Sequence, residues 1–241
     1  MAKITIAIQC HNFQRRLCWM LSSLGGQDVT VNVAHMPGNG TPTTEEAIAA
    51  HRKRGLDVRS CVFDDYVSFQ YRGLTRNRQI RECDTRWILF SDTDMVYAPD
   101  YFAKLLEQIS RRYHGMYIAG RFSNPAEYAE YMVATWAAGH TGCVVPFAWD
   151  IASSIEKIPR RNVGAGYFQL VQVRDTGGYY VTPDDNRDHG WTDTYSKCRS
   201  DQQFRHRIGH TRKLPRWFSE NEIHLNHARD NEAGTHLEEQ R

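Results

Sequence analysis

Arg86-Trp87-Ile88-Leu89-Phe90-Ser91-Asp92-Thr93-Asp94 decides the fold of this 241-residue chain: an apolar run of strand length breaks off into two aspartates spaced i, i+2. In an open α/β sheet, ligands gather at the carboxyl ends of the strands, so paired acids there stand where a substrate arrives. Read as extended backbone, positions 92 and 94 send their side chains the same way. They can then converge on one hard divalent cation, which takes carboxylate oxygens readily. Such a cation neutralises a diphosphate as it departs. For an isolated Asp-x-Asp the competing reading is an acidic turn that caps the next helix. What separates the two readings stands on either side.

Upstream, Ile4-Thr5-Ile6-Ala7-Ile8 is apolar and β-branched and stops at Cys10-His11-Asn12-Phe13, which predicts a buried strand over 3–9 ending in a polar, aromatic loop. Leu17, Met20, Leu21 and Leu24 fall at helical spacing across 15–24, with Gly25-Gly26 as the stop. A second strand is predicted over 29–34, then a loop at Pro37-Gly38-Asn39-Gly40. Thr43-x-x-Glu46 is a capping box for a helix closing before Gly55. A third strand over 58–63 ends in Asp64-Asp65, and a helix over 73–83 carries Thr75, Arg76 and Asn77 in its first turn. After the aspartates, Pro99-Asp100 opens an amphipathic helix reaching Ile109. Strand and helix alternating in this way predict a parallel sheet with helices on its faces. Beyond Gly120 the periods weaken. A helix over 126–138 sets Tyr128, Met132 and Trp136 on one packing face, strands are expected over 144–149 and 168–173, and 184–197 reads as a loop covering an acceptor.

Hydrophobic content of 41% and charged content of 24% are ordinary for a soluble globular protein, and the length suits one large α/β domain. The net charge is only +2, yet 24 of the 30 basic residues are arginine, the planar fork that suits phosphate and carboxylate. The six cysteines (10, 18, 61, 83, 143, 198) include no Cys-x-x-Cys pair, which argues against a zinc or disulfide scaffold and for reduced thiols in a cytoplasmic protein. No apolar run approaches the length needed to cross a bilayer. Met1 runs almost directly into the first strand, so no leader is expected, and any work at a membrane would be by visiting it.

Four pieces in order resemble the nucleotide-sugar-dependent glycosyltransferases of GT-A fold, family 2 in particular: Ile8-Gln9-Cys10-His11-Asn12, Leu74-Thr75-Arg76-Asn77, the strand running into Asp92-Thr93-Asp94, and Arg199-Ser200-Asp201-Gln202-Gln203 with its downstream arginines. The resemblance covers residues 3–110 well and the chain from 160 onward in patches. It implies a single GT-A, Rossmann-like α/β domain, a mostly parallel sheet flanked by helices. Residues 1–120 would form the nucleotide-sugar-binding half and 121–241 the acceptor-binding half. It further implies that His11 and Asn12 line the base pocket and that Asp65 meets base or ribose, with Asp64 equally available. Arg76 would reach the nucleotide or its phosphates, Asp92 and Thr93 the donor, and Asp92 and Asp94 a Mn²⁺ or Mg²⁺ ion. Asp201 stands where inverting members keep their general base. Ser200 replaces the family's glutamate there, and an N-cap role for Ser200 or Asp201 competes. In His224-Leu225-Asn226-His227, His227 is the favoured extra metal ligand and His224 the alternative.

The acceptor is read from Arg205 to Trp217, a run holding arginines at 205, 207, 212 and 216, a lysine and two histidines with no acid. A solvated basic face is the plain reading. The functional one is a polyanionic acceptor, with Arg205, Arg207 and Arg212 on phosphates and Trp217 stacked on a base or sugar. A hydroxymethylated base in DNA, flipped out of the duplex, fits this pattern. A lipid-linked or anionic cell-surface glycan is the alternative. The donor expected from the family is a UDP-sugar. Two other classes stay open. A nucleotidyltransferase usually carries a glycine-rich, lysine-bearing loop after its first strand, which Cys10 to Arg16 lacks; a catalytically silent nucleotide-sugar or nucleic-acid binder would keep the acids without turnover.

Overall fold

β1 (Ile4–Cys10) and β2 (Val29–His35) are buried along nearly their whole length, the pattern of strands covered on both faces. With β3 (Asp57–Val62) and β4 (Trp87–Ser91) they pair in parallel, in the spatial order β3-β2-β1-β4. The computed structural model describes residues 4–38, 40–70, 72–109, 115–118, 120–123, 125–139, 142–147, 149–150, 158–161, 168–176, 216–217 and 222–225.

Period-two alternation sorts β1 and β4 between two cores, while Ala34 of β2 and Cys61 of β3 join Phe63 and Phe69 in a third, smaller one. Ile4, Ile6, Ile8, Trp87 and Leu89 join the larger one, with Leu17, Met20 and Leu21 of α1 (Gln14–Ser23) and Ala47 and Ile48 of α2 (Thr44–Arg52). Ala7, Ile88 and Phe90 turn the other way, against Ile80 of α4 (Arg72–Glu82). Leu89 is fully buried, so its truncation to alanine costs about 2–5 kcal/mol. The expected capping box opens α2: Thr43 Oγ1 accepts from the Glu46 N–H at 3.2 Å, and the Glu46 carboxylate accepts from the Thr43 N–H at 2.8 Å.

The later chain completes the same sheet. β9 (Phe168–Gln172) lies antiparallel between β4 and β6 (Gly115–Ile118), and β10 (Arg216–Trp217) runs parallel to β6 at the edge. A second, four-stranded sheet has the order β5-β11-β7-β8, from β5 (Met95–Tyr97), β11 (Glu222–His224), β7 (Gly120–Ser123) and β8 (Ile158–Arg161). α5 (Tyr101–Gln108) buries Tyr101, Phe102 and Leu105 in the larger core, and α6 (Ala126–Gly139) adds Ala129, Met132 and Val133.

Three expectations are corrected. The strand predicted over 144–149 does not form: residues 144–147 have no regular structure and 149–150 are helical. Pro146 has no N–H for a ladder, and the Val145 N–H donates to Ser22 Oγ at 2.9 Å. On α6, Tyr128 is not a packing residue; it is 37% exposed and Tyr131 66% exposed, while Ala129, Met132 and Val133 face inward. Third, the aspartates do not continue the strand. β4 ends at Ser91, and residues 92–94 form a turn into β5, so Asp92 and Asp94 are placed by turn geometry and not by strand alternation. The predicted loop over 184–197 lies outside the described residues.

Candidate functional site

The register that pairs Ala7 with Phe90 sets the loop after β1 beside the turn after β4. In that loop Asn12 takes φ 57°, the left-handed conformation that asparagine tolerates better than most residues. His11 sits against two rings of α3 (Tyr66–Gln70), a short helix the sequence reading missed; its centroid is 5.7 Å from Tyr66 and 5.8 Å from Phe69. Gln9 Nε2 donates to the Phe69 carbonyl at 2.6 Å, and Thr75 Oγ1 donates to the same oxygen at 3.0 Å. α3 and the start of α4 are thereby tied to β1. The signal for α3 was present in the aromatic pair spaced i, i+3 after Asp64-Asp65.

Asp65 accepts from the Ser68 N–H at 2.9 Å and so caps α3. That is the structural role open to any acid at a strand end, and it holds the aromatic wall beside His11. Arg76 is buried on α4 with its guanidinium 5.1 Å from the Phe90 ring centroid, which brings a permanent positive charge to the end of β4. Gln79, one turn later, donates to the Ile8 and Asn32 carbonyls at 2.8 and 3.0 Å and so fixes α4 across β1 and β2. Sequence reasoning did not single out Gln79; a glutamine on a buried helix face carries no motif.

In the turn itself Thr93 and Asp94 are buried, Asp94 to 5% exposure, and Asp92 is half-buried. The Asp94 carbonyl accepts from the Leu225 N–H at 2.7 Å, and β11 pairs His224 with Met95. The chain leading to His227 is thus fastened directly to the aspartate turn, although the two sites lie far apart in sequence. Arg16 Nε donates to the Leu225 carbonyl at 3.4 Å from the other side. Behind the turn the Tyr97 hydroxyl, fully buried, shares a 2.7 Å hydrogen bond with Ser91 Oγ. Burial first, then the negative charges of Glu222, Asp92 and Asp94, push its phenol well above the usual range, against the Ser91 bond. The carboxylates of Asp92 and Asp94 offer hard oxygen donors of the kind that Mg²⁺ or Mn²⁺ takes. Among the described residues no cluster of three or more His, Cys, Asp or Glu side chains gathers for a metal. Asp201, Arg205, Arg207, Arg212 and His227 lie outside the described residues, and of Trp217 only the backbone, in β10 beside Ile118, is described.

A mostly parallel α/β sheet flanked by helices, with an acidic turn after the fourth strand, is the layout of a GT-A domain. Residues 37–168 match the family described as Glycosyl transferase family 2, and the chain belongs to that family. No curated protein matches it in sequence. Among solved structures it is similar to residues 1–349 of TarS from S. aureus (14% identity, 86% of this chain and 55% of that chain, TM-score 0.51). Others are GlyE from Streptococcus pneumoniae TIGR4 (11%, 89% and 45%, 0.48) and the mannosyltransferase PcManGT from Pyrobaculum calidifontis in complex with GDP-Man and Mn²⁺ (13%, 74% and 47%, 0.45). The chain spans about half the length of the TarS fragment, and that likeness shows the fold. Family membership sets aside the nucleotidyltransferase alternative.

Proposed function

We propose that the chain is a metal-dependent glycosyltransferase that moves a sugar from a nucleoside-diphosphate sugar to an acceptor hydroxyl with inversion. The observation that carries this is the Asp92-Thr93-Asp94 turn at the carboxyl end of β4, with Asp94 buried and Asp92 half-buried, in a family 2 chain, with His11 and Arg76 on neighbouring elements. Asp92 and Asp94 would hold Mn²⁺ or Mg²⁺, with His227 as a further ligand from the segment fastened at Leu225. The ion would supply charge neutralisation for the departing diphosphate. His11, beside the Tyr66 and Phe69 rings, and Asn12 would take the base, Asp65 the base or ribose, and Arg76 the nucleotide or its phosphates; Asp92 and Thr93 would line the donor. UDP is the favoured nucleotide: a TarS chain of the same fold is described in complex with UDP. Asp201 would remove the acceptor proton as the anomeric carbon is attacked.

Residues 1–120 would serve the donor and 121–241 the acceptor. The basic run from Arg205 to Trp217 favours a polyanionic acceptor, DNA bearing a hydroxymethylated base ahead of a cell-surface or lipid-linked glycan. No helix among the described residues is long and apolar enough to cross a membrane, and the described cysteines are free thiols; a cytoplasmic setting belongs to the same reading.

The test is nucleoside diphosphate release from UDP-, GDP- and TDP-sugars with Mn²⁺, Mg²⁺ or chelator. Metal-dependent release that falls roughly 10²-fold or more in Asp94→Ala supports the reading. Asp201→Asn should lose turnover and keep donor binding; a silent nucleotide-sugar binder would lose nothing. For the acceptor, Arg207→Ala with Arg212→Ala should weaken DNA binding and flatten its salt dependence. An absence of DNA binding by the wild type at low salt removes the nucleic-acid acceptor.

A further inference from the structure

A cleft of about 360 Å³ opens beside Asn12, between the start of α1, Gly40-Thr41 and α6; Gln14, Arg15, Arg16, Gly40 and Glu130 line it. Gln14 is 4% exposed, and its Nε2 has no hydrogen-bond partner among the described residues. A buried donor left without an acceptor costs stability, so native proteins rarely keep one without a use. Gly40 leaves the space that the amide occupies. A Cβ built on Gly40, whose φ is +80°, would stand 2.4 to 2.9 Å from the three heavy atoms of the Gln14 amide. The donor role belongs to this orientation of the amide, in which Nε2 is the atom left without a partner; the opposite orientation would offer an anion only lone pairs.

The helix end beside this amide breaks two local rules. α1 opens on Phe13, which has no side-chain oxygen to cap it, and no side-chain cap bond forms. First-turn N–H groups have no acceptor within their own helix. Acids are favoured in a first turn, where the helix dipole is positive; α1 has none and instead carries Arg15 and Arg16. Arg16 is buried and pairs with Glu130 at 2.8 Å, while Arg15 is exposed. An oxyanion answers all three features, supplying acceptors for the amide and the helix N–H groups and the charge the first turn lacks.

We propose that this cleft is a phosphate-binding subsite, with Gln14 Nε2, the first turn of α1 and Arg15 as its donors. On the transferase reading above, on which its role but not its binding rests, it takes a phosphate of the acceptor. The test is a ¹H–¹⁵N NMR titration of the whole chain with inorganic phosphate, with dimethyl phosphate and, separately, with UDP. Saturable shifts of the Gln14 side-chain amide and of backbone amides 14–16 are expected. Binding followed at those backbone amides should weaken roughly tenfold in Gln14→Glu, which sets a carboxylate against the anion. Arg15→Gln, an exposed change that spares the fold, should weaken it a few-fold. Shifts with dimethyl phosphate assign the subsite to a phosphodiester chain, and shifts with inorganic phosphate alone assign it to a terminal phosphate. An unmoved Gln14 amide, equal binding by both variants, or displacement of phosphate from Gln14 by UDP overturns the proposal. UDP that binds nowhere defeats the choice of UDP as donor nucleotide and leaves the phosphate result standing.

Discussion

Replacing Gln79 with methionine tests whether α4 is held in register by one buried amide. Gln79 is 1% exposed, and its Nε2 donates to the carbonyls of Ile8 and Asn32 at 2.8 and 3.0 Å. Methionine keeps the volume and removes the donor, so no cavity confuses the result. Two hydrogen bonds at a net of about 1 kcal/mol each give a loss of about 2 kcal/mol. For a chain of this size each kcal/mol moves Tm by roughly 2–4 °C, so the melting midpoint should fall by roughly 4–8 °C. Arg76 lies one turn before Gln79 on the same helix, and its guanidinium sits over Phe90. Loosening α4 should therefore also weaken UDP binding, roughly fivefold for a loss of about 1 kcal/mol. Differential scanning fluorimetry and calorimetric titration with UDP measure the two effects. A Tm within about 1 °C of wild type would refute the reasoning, because it would mean the amide bonds add nothing to stability.

Thr43→Ala removes one side of the α2 capping box and should cost about 1 kcal/mol by urea unfolding, with UDP binding unchanged, since α2 lies outside the donor site. At Asn12, φ 57°, alanine should lose about 1 kcal/mol that glycine keeps, while both weaken UDP binding; equal stabilities would sink the backbone argument. His51 is buried, with Nδ1 2.8 Å from the Ala47 carbonyl and Nε2 3.1 Å from Ser22 Oγ, and burial lowers its pKa from the ordinary 6.5. The unfolded chain then takes up a proton that the folded chain refuses. His51's contribution is complete above the unfolded value and falls as pH drops below it, so urea midpoints should decline from about pH 7.5 to about 5.5, and less steeply in His51→Gln.

Much of the first hundred residues was legible from the sequence because strand and helix there obey their own periods. β1 to β4, the α2 capping box and the helix carrying Arg76 fall within a residue or two of where the pattern places them. Family 2 membership was legible for the same reason, since its landmarks are local and stand in order. Asp65 shows the limit. As a strand-end acid it reads equally as a ligand or a cap, and only the Ser68 N–H at 2.9 Å gives it the capping bond. The 144–149 stretch misled because a short apolar run carries no information about which neighbour will cover it, and Tyr128 because helical spacing gives a face but not how far along it the packing reaches.

By itself the sequence determined the parallel α/β frame and the acids at the end of β4, since alternation and abrupt polarity are properties of adjacent residues. Only the tertiary structure decided that Asp92 and Asp94 lie in a turn and that β9 enters the sheet antiparallel. It also decided that Leu225 bonds to Asp94 and that the Gln14 amide occupies the space a side chain at Gly40 would need. Each of these joins residues distant along the chain, and the partner in such a contact is chosen by how whole elements pack, which no local pattern encodes.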